Sequence, residues 1–102
     1  MTPVDFLQSW YLSQCNGDWE HRYGVTIESL DNPGWMVTID LVQTALEGRA
    51  MTAVRKERNA TDWLVCEVVE NQFRGAGDHT KLLAILNVFQ TWASAPKAPA
   101  AG

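Results

Sequence analysis

Four side chains between Cys15 and His21 are of types that can do chemistry near neutral pH: the Cys15 thiol, the Asp18 and Glu20 carboxylates and the His21 imidazole. Histidine can pass protons in this range and a carboxylate can orient it, so one reading is an acid–base cluster of Asp18, Glu20 and His21. A second is a small sulfurtransferase-like enzyme with Cys15 as nucleophile. The electrostatics oppose it, because a reactive thiolate is favoured at a helix N-terminus or beside cations. Cys15 instead closes a predicted helix near Asp18, and Cys66 lies in a predicted strand next to Glu67. Neither cysteine sits in a loop of the cysteine-to-arginine type that sulfurtransferases use. Cys15, Cys66, His21 and His79 lack the paired spacing of metal ligands, and Gly75-Ala76-Gly77 lacks the lysine and hydroxyl residue of a phosphate loop. The sequence therefore points to no catalytic residue, no metal and no other cofactor.

Aromatic residues crowd the same stretch. Trp10 to Gly24 holds two of the five tryptophans and both tyrosines. Trp10, Tyr11 and Trp92 fall on helix faces that would turn toward a sheet and belong to the expected core. Trp19, Trp35 and Trp63 fall at strand ends or turns, where a large ring beside acids suits a binding surface.

The elements that must position these groups can be read from periodicity. Thr2-Pro3-Val4-Asp5 starts a helix: Thr2 as cap, Pro3 in the first turn and Asp5 where negative charge is favoured. That helix is expected to run to about Cys15, with Val4, Leu7 and Tyr11 on one stripe and Phe6 and Trp10 on the next, before Asn16-Gly17 stops it. Val25 to Leu30 and Trp35 to Leu41 form a hairpin around Asp31-Asn32-Pro33-Gly34. In its second strand, Trp35, Val37, Ile39 and Leu41 share the inward face, and Met36, Thr38 and Asp40 share the other. Thr44 to Gly48 fits either a short edge strand or a loop. Ala53 to Arg58, Asp62 to Val69 and Gln72 to Gly75 read as further strands. Gly75-Ala76-Gly77 reads as the turn into a second helix, capped by Asp78 or Thr80 and ending near Ala93. Its Leu82, Ile85, Leu86, Phe89 and Trp92 recur at three and four, the pattern of a helix lying on a sheet.

The expected fold is one α+β domain over 1–93: an N-terminal helix, an antiparallel sheet of about four to six strands and a C-terminal helix, with both helices on one sheet face. The Ala/Pro-rich segment 94–102 has no periodicity and is expected to be a disordered tail. The start of the chain carries no basic n-region and no apolar run is long enough to span a membrane, so the expected setting is cytoplasmic.

Twelve acids against eight bases give a net charge of −4, which favours a basic partner over nucleic acid. The charge is uneven. Met1 to Glu47 holds seven acids and one base, whereas Gly48 to Arg58 holds four bases and one acid. Arg55-Lys56-Glu57-Arg58 reads as a solvated strand face rather than a nucleic-acid surface.

Trp10-Tyr11, Gln14-Cys15-Asn16-Gly17-Asp18-Trp19-Glu20-His21, Tyr23-Gly24-Val25, Leu30-Asp31-Asn32-Pro33-Gly34-Trp35 and Ile39-Asp40-Leu41 together resemble the immunity protein 53 family of bacterial polymorphic toxin systems. Leu46-Glu47-Gly48, Asp62-Trp63 and Gly75-Ala76-Gly77 extend the resemblance, which covers about Val4 to Ala93. The segment Arg49 to Arg58 looks more basic than the family pattern, and the Ala/Pro tail lies outside it. The resemblance implies a small, non-enzymatic cytoplasmic antidote that binds and blocks a cognate toxin domain, a basic nuclease being one candidate. It transfers no contact residue by position. Charge and aromatic placement suggest Asp18, Trp19, Glu20, Glu28 and Asp40 as toxin contacts, then Trp35 and Trp63. The other readings are the small enzyme above and a general protein-interaction adaptor.

Overall fold

Thr2 opens the first helix by accepting the Asp5 N–H on its hydroxyl at 3.1 Å, with Pro3 in the first turn, where its missing N–H costs nothing. In the computed structural model, which describes residues 1–96, this helix is α1, Pro3–Gln14. Cys15 closes it by donating its N–H to the Leu12 carbonyl, and Gly17 takes a φ of 90° in the turn that follows. There the chain forms a second, four-residue helix, α2, Trp19–Arg22, just past the Asn16-Gly17 stop.

Five strands follow: β1 Val25–Leu30, β2 Gly34–Asp40, β3 Val54–Asn59, β4 Asp62–Val69 and β5 Gln72–Asp78. Their order across the sheet is β1-β2-β5-β4-β3, with every pair antiparallel. Asp31-Asn32-Pro33 makes the β1–β2 turn. Glu70 and Asn71, both at positive φ (54° and 57°), make the tight turn between β4 and β5. The segment Thr44 to Gly48 contributes no strand. It forms turns, with Gln43 and Gly48 at positive φ, and buries Leu46.

Gly75-Ala76-Gly77 is not the turn into the last helix; it lies inside β5. The glycines are there because α3, Leu82–Ser94, lies close above them. A Cβ on Gly75 would run into the Ile85 side chain, and one on Gly77 would come within 2.6 Å of the Lys81 Cβ. Lys81 is the N-terminal flanking residue of α3, where Asp78 or Thr80 was expected; Asp78 shapes the approach by accepting the Thr80 N–H at 2.8 Å.

The fold is the expected α+β arrangement, an antiparallel sheet with α1 and α3 on one face. Val37 and Ile39 of β2, Phe73 of β5 and Leu64 and Cys66 of β4 meet Ile85, Leu86 and Phe89 of α3 and Leu7 of α1. Each large apolar side chain buried this way contributes about 1.5–3 kcal/mol. Phe89 is the hub: its ring meets Phe6, Trp10 and Phe73 edge-on at 6.0, 5.2 and 5.2 Å. Leu82 and Trp92 are half-buried at the rim.

Tyr11 departs from its expected core role. Its ring meets Trp19 edge-on at 6.1 Å, yet the residue is 38% exposed, and Val4 on the same stripe is 48% exposed. α1 packs mainly on α3 through Phe6, Leu7 and Trp10, so the Val4–Tyr11 side of the helix faces outward. The predicted disordered tail lies outside the described residues from position 97 onward; before that, Ser94 still belongs to α3.

Candidate functional site

Within the stretch from Cys15 to His21, the Asn16 and Glu20 side chains are occupied with holding the chain. Asn16 accepts the N–H groups of Asp18 and Trp19 on its side-chain oxygen at 3.0 and 2.9 Å, and Glu20 reaches back to accept those of Asn16 and Gly17. Backbone N–H donors, including its own and those of Asn16 and Gly17, hold the Glu20 carboxyl below its usual range. Trp19, expected as a surface anchor, is 1% exposed. Its indole N–H donates to the Val42 carbonyl at 2.8 Å, and its ring packs among Trp10, Tyr11 and Tyr23. A side chain so enclosed cannot reach a partner, so Trp19 is corrected from interface to core. The reason is α2, which turns this ring inward.

Asp18 and Arg22 form an exposed ion pair at 3.4 Å, and His21 is exposed beside them. The nearest hollow, between α1 and β1, is lined by Leu7, Gln8, Tyr11, Tyr23, Gly24 and Val25, with neither a carboxylate nor an imidazole in its wall. Cys15 donates its thiol to the Tyr11 carbonyl at 3.3 Å. Cys66 is sealed beneath α3, and burial pushes its thiol up to about 12, so it is protonated at neutral pH. Among the described residues no group of three His, Cys, Asp or Glu side chains could hold a metal ion, and no helix is long and apolar enough to cross a membrane.

Of the remaining expected contacts, the register puts Glu28, Asp40 and Trp63 on the sheet face away from the helices and Trp35 on the opposite face. Asp40 stands at the end of β2 and accepts the Gly24 N–H at 3.0 Å and the Gln72 amide at 2.7 Å; Gln72 in turn accepts from the Arg74 guanidinium. Trp35 is at the other end of β2, on the helix side, where its indole N–H donates to the His79 carbonyl. Trp63 is the second residue of β4 and is half-buried. Glu28 is exposed in the middle of β1.

A connected surface does exist on the sheet face away from the helices. The strand register lines up Glu28, Met36, Ala76, Val65 and Arg55 in one row across all five strands. An apolar centre thus lies between an acid at one edge and a base at the other. The next row is Thr26, Thr38, Arg74 and Glu67, with Glu67 paired to Arg55 at 3.4 Å. A shallow concavity over Met36, Val65, Glu67, Arg74, Gly75 and Ala76 marks the centre. Met36, Val65, Ala76 and Arg74 were not among the expected contact residues. Strand alternation already placed Met36 outward, with Thr38 and Asp40.

Three charged side chains, Asp78, Lys81 and Arg49, are tied into the fold. Asp78, 1% exposed, accepts from the Trp63 N–H, the Thr80 N–H and hydroxyl, and the Lys81 ammonium at 2.9, 2.8, 2.6 and 2.7 Å. Lys81 foremost, then the Thr80 hydroxyl, holds the Asp78 carboxyl well below the carboxylate range; Asp78 foremost, then Asp62, raises Lys81. In the basic segment, Arg49 donates to the Ala95 carbonyl at 2.6 Å and lies over the Trp92 ring, fastening the end of α3.

Comparison with curated proteins and with solved structures returns no match. Comparison with protein families does: the immunity protein 53 model matches residues 4–94, from the first turn of α1 to the end of α3. This chain belongs to the immunity protein 53 family.

Proposed function

We propose that this protein is an antidote that binds and neutralises a cognate toxin domain in the cytoplasm of the cell that makes both. The family match over 4–94 carries the proposal, since it spans every helix and strand. The geometry supports a binding role: the sheet face opposite the helices combines a half-buried apolar centre with charged borders, the usual make-up of a protein interface. Glu28, Asp40 and Trp63 are the contacts we favour, joined by Met36 and Val65. Asp18 is a peripheral acid, while Glu20 and Trp35 are mostly engaged within the fold. The acidic excess over Met1 to Glu47 suits a basic toxin domain and would speed its capture.

Neutralisation requires binding rather than turnover, so no residue is assigned a catalytic role. Co-expression with the toxin encoded beside this gene tests the proposal. Cells should survive and an isolable complex should form, and Cys15→Ser should protect as well as wild type. Absence of both protection and complex would overturn the antidote reading, whereas loss of protection in Cys15→Ser alone would reinstate a thiol function.

A further inference from the structure

The two edges of the sheet are built differently. β3 carries Arg55, Lys56, Glu57 and Arg58 in succession, and its register slips between Glu57 and Asn59. Charges and an irregular register discourage another strand from adding to an edge. β1 has neither protection: its six residues pair with β2 without a shift, and Val-Thr-Ile-Glu-Ser-Leu contains one charge, no lysine and no proline.

The hydrogen-bonding phase of β1 identifies the groups left over. Asp40 donates its N–H to the Gly24 carbonyl at 3.0 Å, which makes Gly24–Asp40 a hydrogen-bonded pair. Antiparallel pairs alternate, so Thr26–Thr38 and Glu28–Met36 are hydrogen-bonded too, and the N–H and C=O groups of Val25, Ile27 and Ser29 point away from β2. Thr26, Ile27, Glu28 and Ser29 are all exposed, Ile27 at 44% despite pointing to the helix side. Together with Val25, Tyr11 and the hollow they line, Ile27 gives the edge an apolar flank. Glu28 projects from the other flank, and Asp31 is exposed just beyond the strand.

We propose that β1 receives an extended strand of the toxin domain, with a Lys or Arg placed to meet Glu28 and an apolar side chain placed against Ile27. This rests on the antidote reading and states how the partner is held. Main-chain hydrogen bonds from Val25, Ile27 and Ser29 supply affinity, and the two flanks select the sequence. Charge decides the occupant. A second copy of this chain would bring its own acidic β1 region to the same edge, whereas a cationic strand neutralises it.

The test uses the full chain and the adjacent toxin domain. Ile27→Pro removes one outward N–H and the apolar side chain but no hydrogen bond to β2. With the fold confirmed by circular dichroism, it should weaken binding by about 100-fold or more. Amide hydrogen exchange on the wild-type complex provides a second reading that needs no variant: Val25, Ile27 and Ser29 should be slowed by the toxin. Wild-type binding with unchanged exchange at these amides, or with a folded Ile27→Pro that binds within about threefold of wild type, overturns the strand-addition proposal and leaves the antidote reading intact. Wild type that neither binds nor protects overturns both. Toxin-free dimers that Ile27→Pro abolishes would assign the edge to a second copy and also overturn it.

Discussion

The corner built by α1, α2 and the start of β1 and the helix-free face of the sheet draw on the same residue types, yet they differ in how much of their bonding capacity is already spent. In the corner, the Trp19 indole, the Glu20 carboxylate and the Asn16 amide each have partners within the fold, and the aromatic rings cover one another. On the sheet face, Met36, Val65 and Ala76 lie half-covered between Glu28 and Arg55, with no helix or strand of the described residues over them. A dense run of reactive types in a sequence can therefore mark a structural knot. The surface we propose for a partner is assembled from single residues on five strands.

This contrast is broken most severely at Trp19. Trp19→Ala should cost about 3–5 kcal/mol, because it empties a core site and leaves the Val42 carbonyl without its donor. Chemical denaturation measures this; a loss below about 1 kcal/mol would return Trp19 to the surface category.

Asp78→Asn comes next. It should lower the melting temperature by on the order of 10 °C, since the Lys81 ammonium loses its closest partner. The carboxyl is depressed in the folded state, so its stabilisation is present above the unfolded value near 3.8 and is lost as pH falls below it toward the folded value. Lys81 is raised, so its contribution holds below about 10.5 and is lost as pH climbs through the folded value. Wild type should lose stability in acid more steeply than Asp78→Asn. Parallel acid limbs in melting experiments from pH 2 to 6 would count against this assignment.

Glu28→Lys should disturb the fold least, leaving the melting temperature within about 2 °C, since surface changes are usually small. At low salt it should slow toxin association several-fold, an effect that shrinks as salt is added. If stopped-flow rates stay the same at both ionic strengths, this edge has no part in capture.

Much of the fold was legible because local chemistry and tertiary packing agree. Thr2 and Pro3 mark the first helix, Asp31 to Gly34 the hairpin, and the three-and-four spacing of Leu82 to Trp92 the helix over the sheet. The β2–β5 pairing was not legible, since it joins strands more than thirty positions apart and no local pattern reports it. Gly75-Ala76-Gly77 reads as a turn yet lies within a strand for a related reason: its glycines answer to a helix packed across them, not to their own backbone conformation. The proposed binding surface was half legible. Alternation separates Met36 from Val37, but only the register across β2, β5 and β4 puts Met36 beside Ala76 and Val65.

Those same glycines bear on the side of the sheet they do not face. With Ile85 and Lys81 seated directly on the backbone of β5, the two layers have no cushion of side chains between them at that point, and close-packed layers of this kind resist compression. The helix-free face is therefore backed like a veneer bonded to a board. A partner that lands on it has little backbone motion left to freeze, and more of the interaction free energy remains available for holding on.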